Sequence, residues 1–404
     1  MRLMKVLREQ GVDASLLVQE GAGDDTGVYS TTHGILKRWR NFLSFALERL
    51  FFLRHEKNKE VRFLFSPANT GEQVITNKHV QEADLIHLHW INAGFLSLRS
   101  LDKLISLGKP VVWTFHDMWA ITGGCHHALD CEGYKQQCGN CPYLKKPGKT
   151  DLSHSLWKKK NKLFKNANIT VITPSRWLQE RVRESSLFEG MDVHAIPNVV
   201  DPSLFLPRER EQACGKLGLD PSKRYILFGA ASVRNLYKGF GFFQEAIRDL
   251  NEDQDALKGV EILLFGKTGG EVSEAFPVKS HWFDYVDSIE TMNALYSVAH
   301  MYVISSLQDT YPTTLIESML CGTPVVGFRT GGIPEMIDHL GDGYLADYKS
   351  VADLARGMRW VLFNDKYKTL RMQVRKEAIF RFSREKSAAL HLELYENILQ
   401  SSGK

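Results

Sequence analysis

Several groups of residues in this chain have the types and spacing to do chemistry. Asp309 and Glu317 stand eight positions apart in the run Ser305 to Ile337, SSLQDTYPTTLIESMLCGTPVVGFRTGGIPEMI. Carboxylates placed on a loop and on the helix after it suit the hydroxyls of a sugar or ribose. Two strand-to-helix turns open beside them, one leading through Thr313 and one through Thr330, Gly331 and Gly332. Backbone N–H groups at helix N-termini favour anions, so both turns are expected to hold a group such as pyrophosphate. Upstream, His89-Trp90 and His116-Asp117 each close an apolar run. Ligands bind beyond the carboxyl ends of strands in open parallel sheets, so His89 and His116 are placed to meet substrate, with satisfied structural histidines as the plainer alternative. Cys125, Cys131, Cys138 and Cys141 make a C-x5-C-x6-C-x2-C array. Four thiolates would fill a tetrahedral zinc shell, which implies a structural ion; two disulfides or four free thiols are the alternatives.

The elements that must position these groups read as α/β. At 404 residues the chain is too long for one ordinary core and suits two domains of about 200. Its 43% hydrophobic and 24% charged residues are those of a folded globular protein. The formal charge of +4 does not argue for nucleic acid, but allows an anionic membrane surface or a phosphorylated substrate. No apolar run reaches the roughly 18 to 20 residues that span a bilayer, and no secretory signal opens the chain, so the expected compartment is the cytoplasm. There, clustered cysteines suggest metal before disulfides.

Buried strands are expected at 84–90, 109–115, 168–174, 193–197, 225–230, 260–266, 302–304 and 325–328. Met1 to Gln10 reads as a helix that precedes the first strand, Ala14 to Val18. A domain of this kind normally begins with a strand and a glycine-rich turn, so the N-terminal domain is expected to lack both, unless the true start lies upstream. Residues 34–56 form a basic amphipathic helix, which fits either contact with anionic lipid or core packing with snorkelling arginines. The helix over 151–165, with its SLWKKKNKLFK run, reads as a solvated basic face.

The stretch 303–337 resembles the E-x7-E signature of retaining family-4 glycosyltransferases of bacterial cell-surface polysaccharide type. Glu317 matches the second acid, and Asp309 stands where the first is usually Glu. Thr114 to Asp117 (TFHD) is similar to the family's T-x-H-D, and Ile196 to Asp201 (IPNVVD) to its I-P-N-G-V-D. Lys238-Gly239 matches its K-G pair, while Arg234 lies two positions after the usual arginine site, where Ser232 stands.

The resemblance implies the GT-B fold, with two Rossmann-like parallel-sheet domains facing across a cleft that holds the active site. An acceptor domain would span 1–203, with the cysteine-rich loop at 123–144. A nucleotide-sugar domain would span 204–382, and a final helix, 383–404, would cross back. The implied activity is transfer, with retention, of a sugar from a nucleotide-diphosphate sugar to a glycan or lipid-linked acceptor at the inner membrane face. In this reading Lys238, Arg234 and the N–H groups of Thr330 to Gly332 neutralise the diphosphate without a metal or other cofactor. Asp309 binds the sugar hydroxyls, Glu317 the ribose, and His116 the sugar near its reacting carbon. His89, Trp90 and Asp117 lie on the acceptor side. The alternatives are a GT-B sugar phosphorylase or epimerase, or a partner protein that binds nucleotide without transferring.

Overall fold

A computed structural model describes every residue except 22–24, 33, 166, 233–234, 253–255, 268–275, 402 and 404. The chain forms two compact units, Met1–Asn198 with Ser387–Lys404, and Val199–Lys386.

The first unit carries the strand pair β1 (Leu16–Val18) and β2 (Val28–Ser30) and a four-stranded sheet. The sheet runs β3 (Ile86–Leu88), β4 (Val111–Thr114), β5 (Ile169–Thr173) and β6 (Val193–Ala195), all parallel. Among the described residues the β1–β2 pair is a separate sheet, also parallel, and a helix precedes its first strand. Every residue of β4 is buried, as a parallel strand covered on both faces requires.

The helices described in this part of the chain are α1 (Arg2–Glu9), α2 (Gly34–Leu53), α3 (Lys78–Glu82), α4 (Leu98–Ile105), α5 (Leu152–Phe164) and α6 (Arg176–Glu184). Local chemistry starts them. Ser97, Asp151 and Ser175 accept N–H bonds at the first turns of α4, α5 and α6. α5 departs from the expected solvated face, because Lys160 is buried and its ammonium donates to the carbonyls of Trp119 and, at 3.0 Å, Thr122. Those two carbonyls and the Trp119 ring, 3.6 Å away, replace water around the ammonium. Burial lowers the Lys160 pKa to about 7.

Among the described residues of the second unit, six strands are all parallel, in the order β12-β11-β10-β7-β8-β9. They are β7 (Arg224–Ser232), β8 (Val260–Lys267), β9 (Ser280–Phe283), β10 (Ala299–Ile304), β11 (Val325–Phe328) and β12 (Gly343–Ala346). From β7 the chain winds outward through β8 to β9, then returns to β10 and winds the other way. Winding therefore reverses between β7 and β10, where doubly wound folds open a crevice at the strands' carboxyl ends. The helices are α7 (Arg210–Leu217), α8 (Phe240–Glu252), α9 (Ile289–Val298), α10 (Thr313–Leu320), α11 (Val351–Leu362) and α12 (Tyr367–Arg381). The last helix, α13 (Arg384–Ser401), packs Leu394 against Val112, Ile172 and Ile196 of the first unit, to which residues 387 onward belong.

Candidate active site

Three loops meet at the carboxyl ends of β7, β10 and β11. The Leu307 N–H donates to the Tyr237 carbonyl at 2.6 Å, and the Gly332 N–H to the Asp309 carbonyl at 2.9 Å. The Ser305 hydroxyl donates to the Gly239 carbonyl at 2.8 Å, and that of Thr330 to the Leu307 carbonyl at 3.0 Å. Two glycines permit this closeness. Gly239 has φ +65°, and a Cβ there would lie 1.9 Å from the Ser305 oxygen; at Gly331, φ +59°, it would lie 2.1 Å from the Asp309 oxygen.

The approach brings the Lys238 ammonium within 2.7 Å of an Asp309 carboxylate oxygen. Burial by itself would lower the lysine pKa, yet the charge and hydrogen bond of Asp309, together with Tyr237, outweigh it and raise that pKa above the ordinary lysine range. Thr313 opens α10, whose N-terminus has no side-chain cap. One turn later Glu317 is buried and accepts the Tyr296 hydroxyl at 3.3 Å.

Two expectations change here. Thr330 to Gly332 do not lead into a long helix but into one 3-10 turn, Ile333–Glu335. The Thr330 N–H is spent on the Phe328 carbonyl at 2.9 Å, and the Gly332 N–H on Asp309. The N–H groups expected to form an anion cradle at this turn are thus largely committed to the backbone, while Lys238 and the α10 N-terminus stand beside it. Arg234 lies outside the described residues.

In the first unit, His89 and His116 meet at the ends of β3 and β4, with Nδ1 of His89 3.0 Å from Nε2 of His116. Burial lowers the His89 pKa to about 3, helped by His116. Burial also lowers that of His116, against the pull of Asp117. Both rings are therefore neutral at physiological pH, one donating and the other accepting. Behind them His87 is held by the Thr114 hydroxyl at 2.7 Å and the Tyr395 hydroxyl at 2.5 Å.

Asp117 is a hub. Its carboxylate takes the Trp119 N–H at 2.7 Å on one oxygen, and on the other His126 Nδ1 at 2.8 Å and the Trp90 indole N–H at 3.2 Å. Burial would raise its pKa, but His126 and the Trp119 N–H together outweigh that and bring it to about 2. Asp117 thus orients Trp90, whose ring remains half exposed. The pairing of Asp117 with His126 was not legible in the sequence, because a nine-residue separation across an irregular loop carries no periodic signal.

Cys125, Cys131, Cys138 and Cys141 line one small cavity, and all four thiols are free. The knuckle Cys138-Gly139-Asn140 has positive φ at all three residues, and the Gly123 N–H donates to the Cys138 sulfur at 3.2 Å. This donor set suits a thiolate-bound ion. Among the described residues, however, no three His, Cys, Asp or Glu side chains are gathered closely enough to hold one.

Comparison with known proteins places this geometry. Residues 1–204 match the family model described as Glycosyltransferase Family 4, and residues 223–364 that described as Glycosyl transferases group 1. The chain is 28% identical over 277 residues to the putative colanic acid biosynthesis glycosyl transferase WcaC of Escherichia coli K12, covering 64% of this chain and 62% of WcaC. It is 23% identical over 407 residues to the D-inositol 3-phosphate glycosyltransferase of Pseudarthrobacter chlorophenolicus, covering 97% and 88%. The chain thus spans less than two thirds of the length of WcaC. Among solved structures, sucrose-phosphate synthase from Thermosynechococcus elongatus superposes with a TM-score of 0.69 at 17% identity, over 99% of this chain and 92% of that one. HepE of Anabaena, in complex with UDP and glucose, gives 0.59 at 18% identity over 79% and 80%. These likenesses establish the GT-B fold class. With half of its 404 residues matched by the family model, the chain belongs to glycosyltransferase family 4.

Proposed function

We propose that the protein is a retaining glycosyltransferase that moves a sugar from a nucleotide-diphosphate sugar to a hydroxyl of a glycan or lipid-linked acceptor in polysaccharide biosynthesis, on the cytoplasmic side of the membrane. The observation that carries this reading is the Lys238–Asp309 pair, set where the winding of the nucleotide-type sheet reverses. In the reaction the bond between the anomeric carbon and the diphosphate oxygen breaks, and a bond to the acceptor oxygen forms on the same face. The acceptor's proton passes to the departing phosphate, so no redox partner and no separate base is needed. Lys238 meets the charge that develops on the leaving group, a role for which neither metal nor cofactor is required. Asp309, released from the lysine, takes the sugar hydroxyls, and Glu317 the ribose. Neutral His116 hydrogen-bonds the sugar near its reacting carbon, with His89, Trp90 and Asp117 on the acceptor side.

HepE, a neighbour in fold, was solved with UDP and with UDP-glucose, so UDP-sugars are the first donors to try. The test is a thermal-shift screen with UDP, GDP, ADP and their sugars, run with and without EDTA. A ligand that binds only the folded state raises its melting temperature. Stabilisation by one nucleotide, kept in EDTA, supports the reading, as does an anomeric proton of unchanged configuration in the NMR spectrum of the product. No shift with any nucleotide, or an inverted product, overturns it.

We further propose a structural zinc, for which Cys125, Cys131, Cys138 and Cys141 would be the thiolate ligands. Metal analysis of protein purified under reducing conditions is expected to return one zinc per chain, lost in Cys138→Ser. Metal-free protein with four titratable thiols would contradict it.

A further inference from the structure

Helix α2 is folded inside out. Its buried residues are Asn41, Glu48 and Phe52, which share one face at helical spacing, and two of the three are polar. The Asn41 amide donates to the Thr32 hydroxyl. Glu48 pairs with Arg49, whose guanidinium also donates to the Phe65 carbonyl at 3.0 Å. The opposite face carries Leu36, Leu43 and Leu50 at seven-residue intervals, with Trp39 and Leu47 between them. These side chains are exposed, Leu36 by 86%, Trp39 by 66% and Leu50 by 55%. Core packing, one of the two readings open from the sequence, would bury this face, and it does not.

The charges identify the occupant. Lys37, Arg38, Arg40 and Arg54 are exposed along and just beyond the helix, while its single acid, Glu48, is fully buried. The outward surface is therefore apolar along its centre, cationic beside it, and free of helix-borne negative charge. A contiguous apolar patch of this extent is unusual on a surface that meets only water. A bilayer interface satisfies every part of it. Leucine and tryptophan enter the boundary between headgroups and acyl chains, and lysine and arginine meet anionic phosphates. Among the described residues no helix is long and apolar enough to cross a membrane. We propose that α2 docks the first unit onto an anionic phospholipid surface, with its axis lying in the plane of the interface. Docking requires no donor and no transfer step, so it stands or falls separately from the proposed reaction.

The test is flotation of the full chain with vesicles of phosphatidylcholine alone or mixed with phosphatidylglycerol. The wild type is expected to float with the mixed vesicles and to be released by salt. The triple variant Leu36→Glu, Leu43→Glu, Leu50→Glu changes only exposed side chains, so its melting temperature should stay put while binding falls by about tenfold or more. A second variant, Lys37→Gln with Arg38→Gln, should lose the preference for phosphatidylglycerol. Failure of the wild type to float, or flotation untouched by both variants, overturns the proposal. So does a concentration-dependent dimer that the triple variant abolishes without any vesicle binding, because a second copy would then be the occupant.

Discussion

Lys238→Ala is expected to lower turnover by about 10²- to 10³-fold, the usual loss when one preorganised donor to a developing oxyanion is removed. The ammonium is largely buried and permanently charged, because Asp309 raises its pKa above the ordinary lysine range. Deleting it also leaves the Asp309 carboxylate, mostly buried, without its partner. Part of any loss would therefore be stability, of about 1 to 3 kcal/mol for a pair that keeps some contact with water. The double variant Lys238→Ala, Asp309→Asn separates the two effects. It should restore the melting temperature without restoring turnover. Recovery of turnover in the double variant, or near-normal turnover in Lys238→Ala, would remove Lys238 from the chemistry.

Acid should unfold both units well before their carboxylates titrate. Burial holds His89, in the first unit, and His300, in the second, at a pKa of about 3, against about 6.5 in an unfolded chain. Between those values the unfolded state binds more protons, so stability is intact above pH 6.5 and is lost as pH falls towards 3. Each such histidine costs about 1.4 kcal/mol per pH unit of descent, or about 2 kcal/mol at pH 5. Asp117, held at about 2, acts only below the ordinary carboxylate range and does not blur this window. Urea unfolding at pH 7.5, 6 and 5 should show the decline. A flat profile would mean that the two rings protonate in place.

Where a side chain's role depends on what strand it ends, the sequence was legible. His89, His116, Asp309 and the Lys238-Gly239 turn all sit at carboxyl ends of parallel strands, because apolar runs bounded by glycine and polar loops can fold in few other ways. What long-range packing decides was not legible. The periodicity of α2 shows that it has two faces but not which one turns inward, and here the hydrogen-bond partners Thr32 and Phe65 select the polar one. Lys160 reads as one more solvated lysine until the carbonyls of Trp119 and Thr122 are folded over it. The turn after β11 reads as the start of a helix, yet the Asp309 carbonyl captures the Gly332 N–H, and only a single tight turn follows. β12, four residues of ordinary composition, offers too short a pattern to separate from a loop.

Among the described residues, the floor of the candidate donor pocket is joined mainly through peptide groups, helped by the Ser305 and Thr330 hydroxyls and permitted by two glycines. Its shape is accordingly insensitive to most of the residues displayed around it. Such a site can exchange the side chains at its rim while the loop geometry that holds Lys238 against Asp309 stays unchanged. Diversification of substrate should then proceed by surface replacements around a conserved cradle, with positions 239 and 331 closed to any residue but glycine.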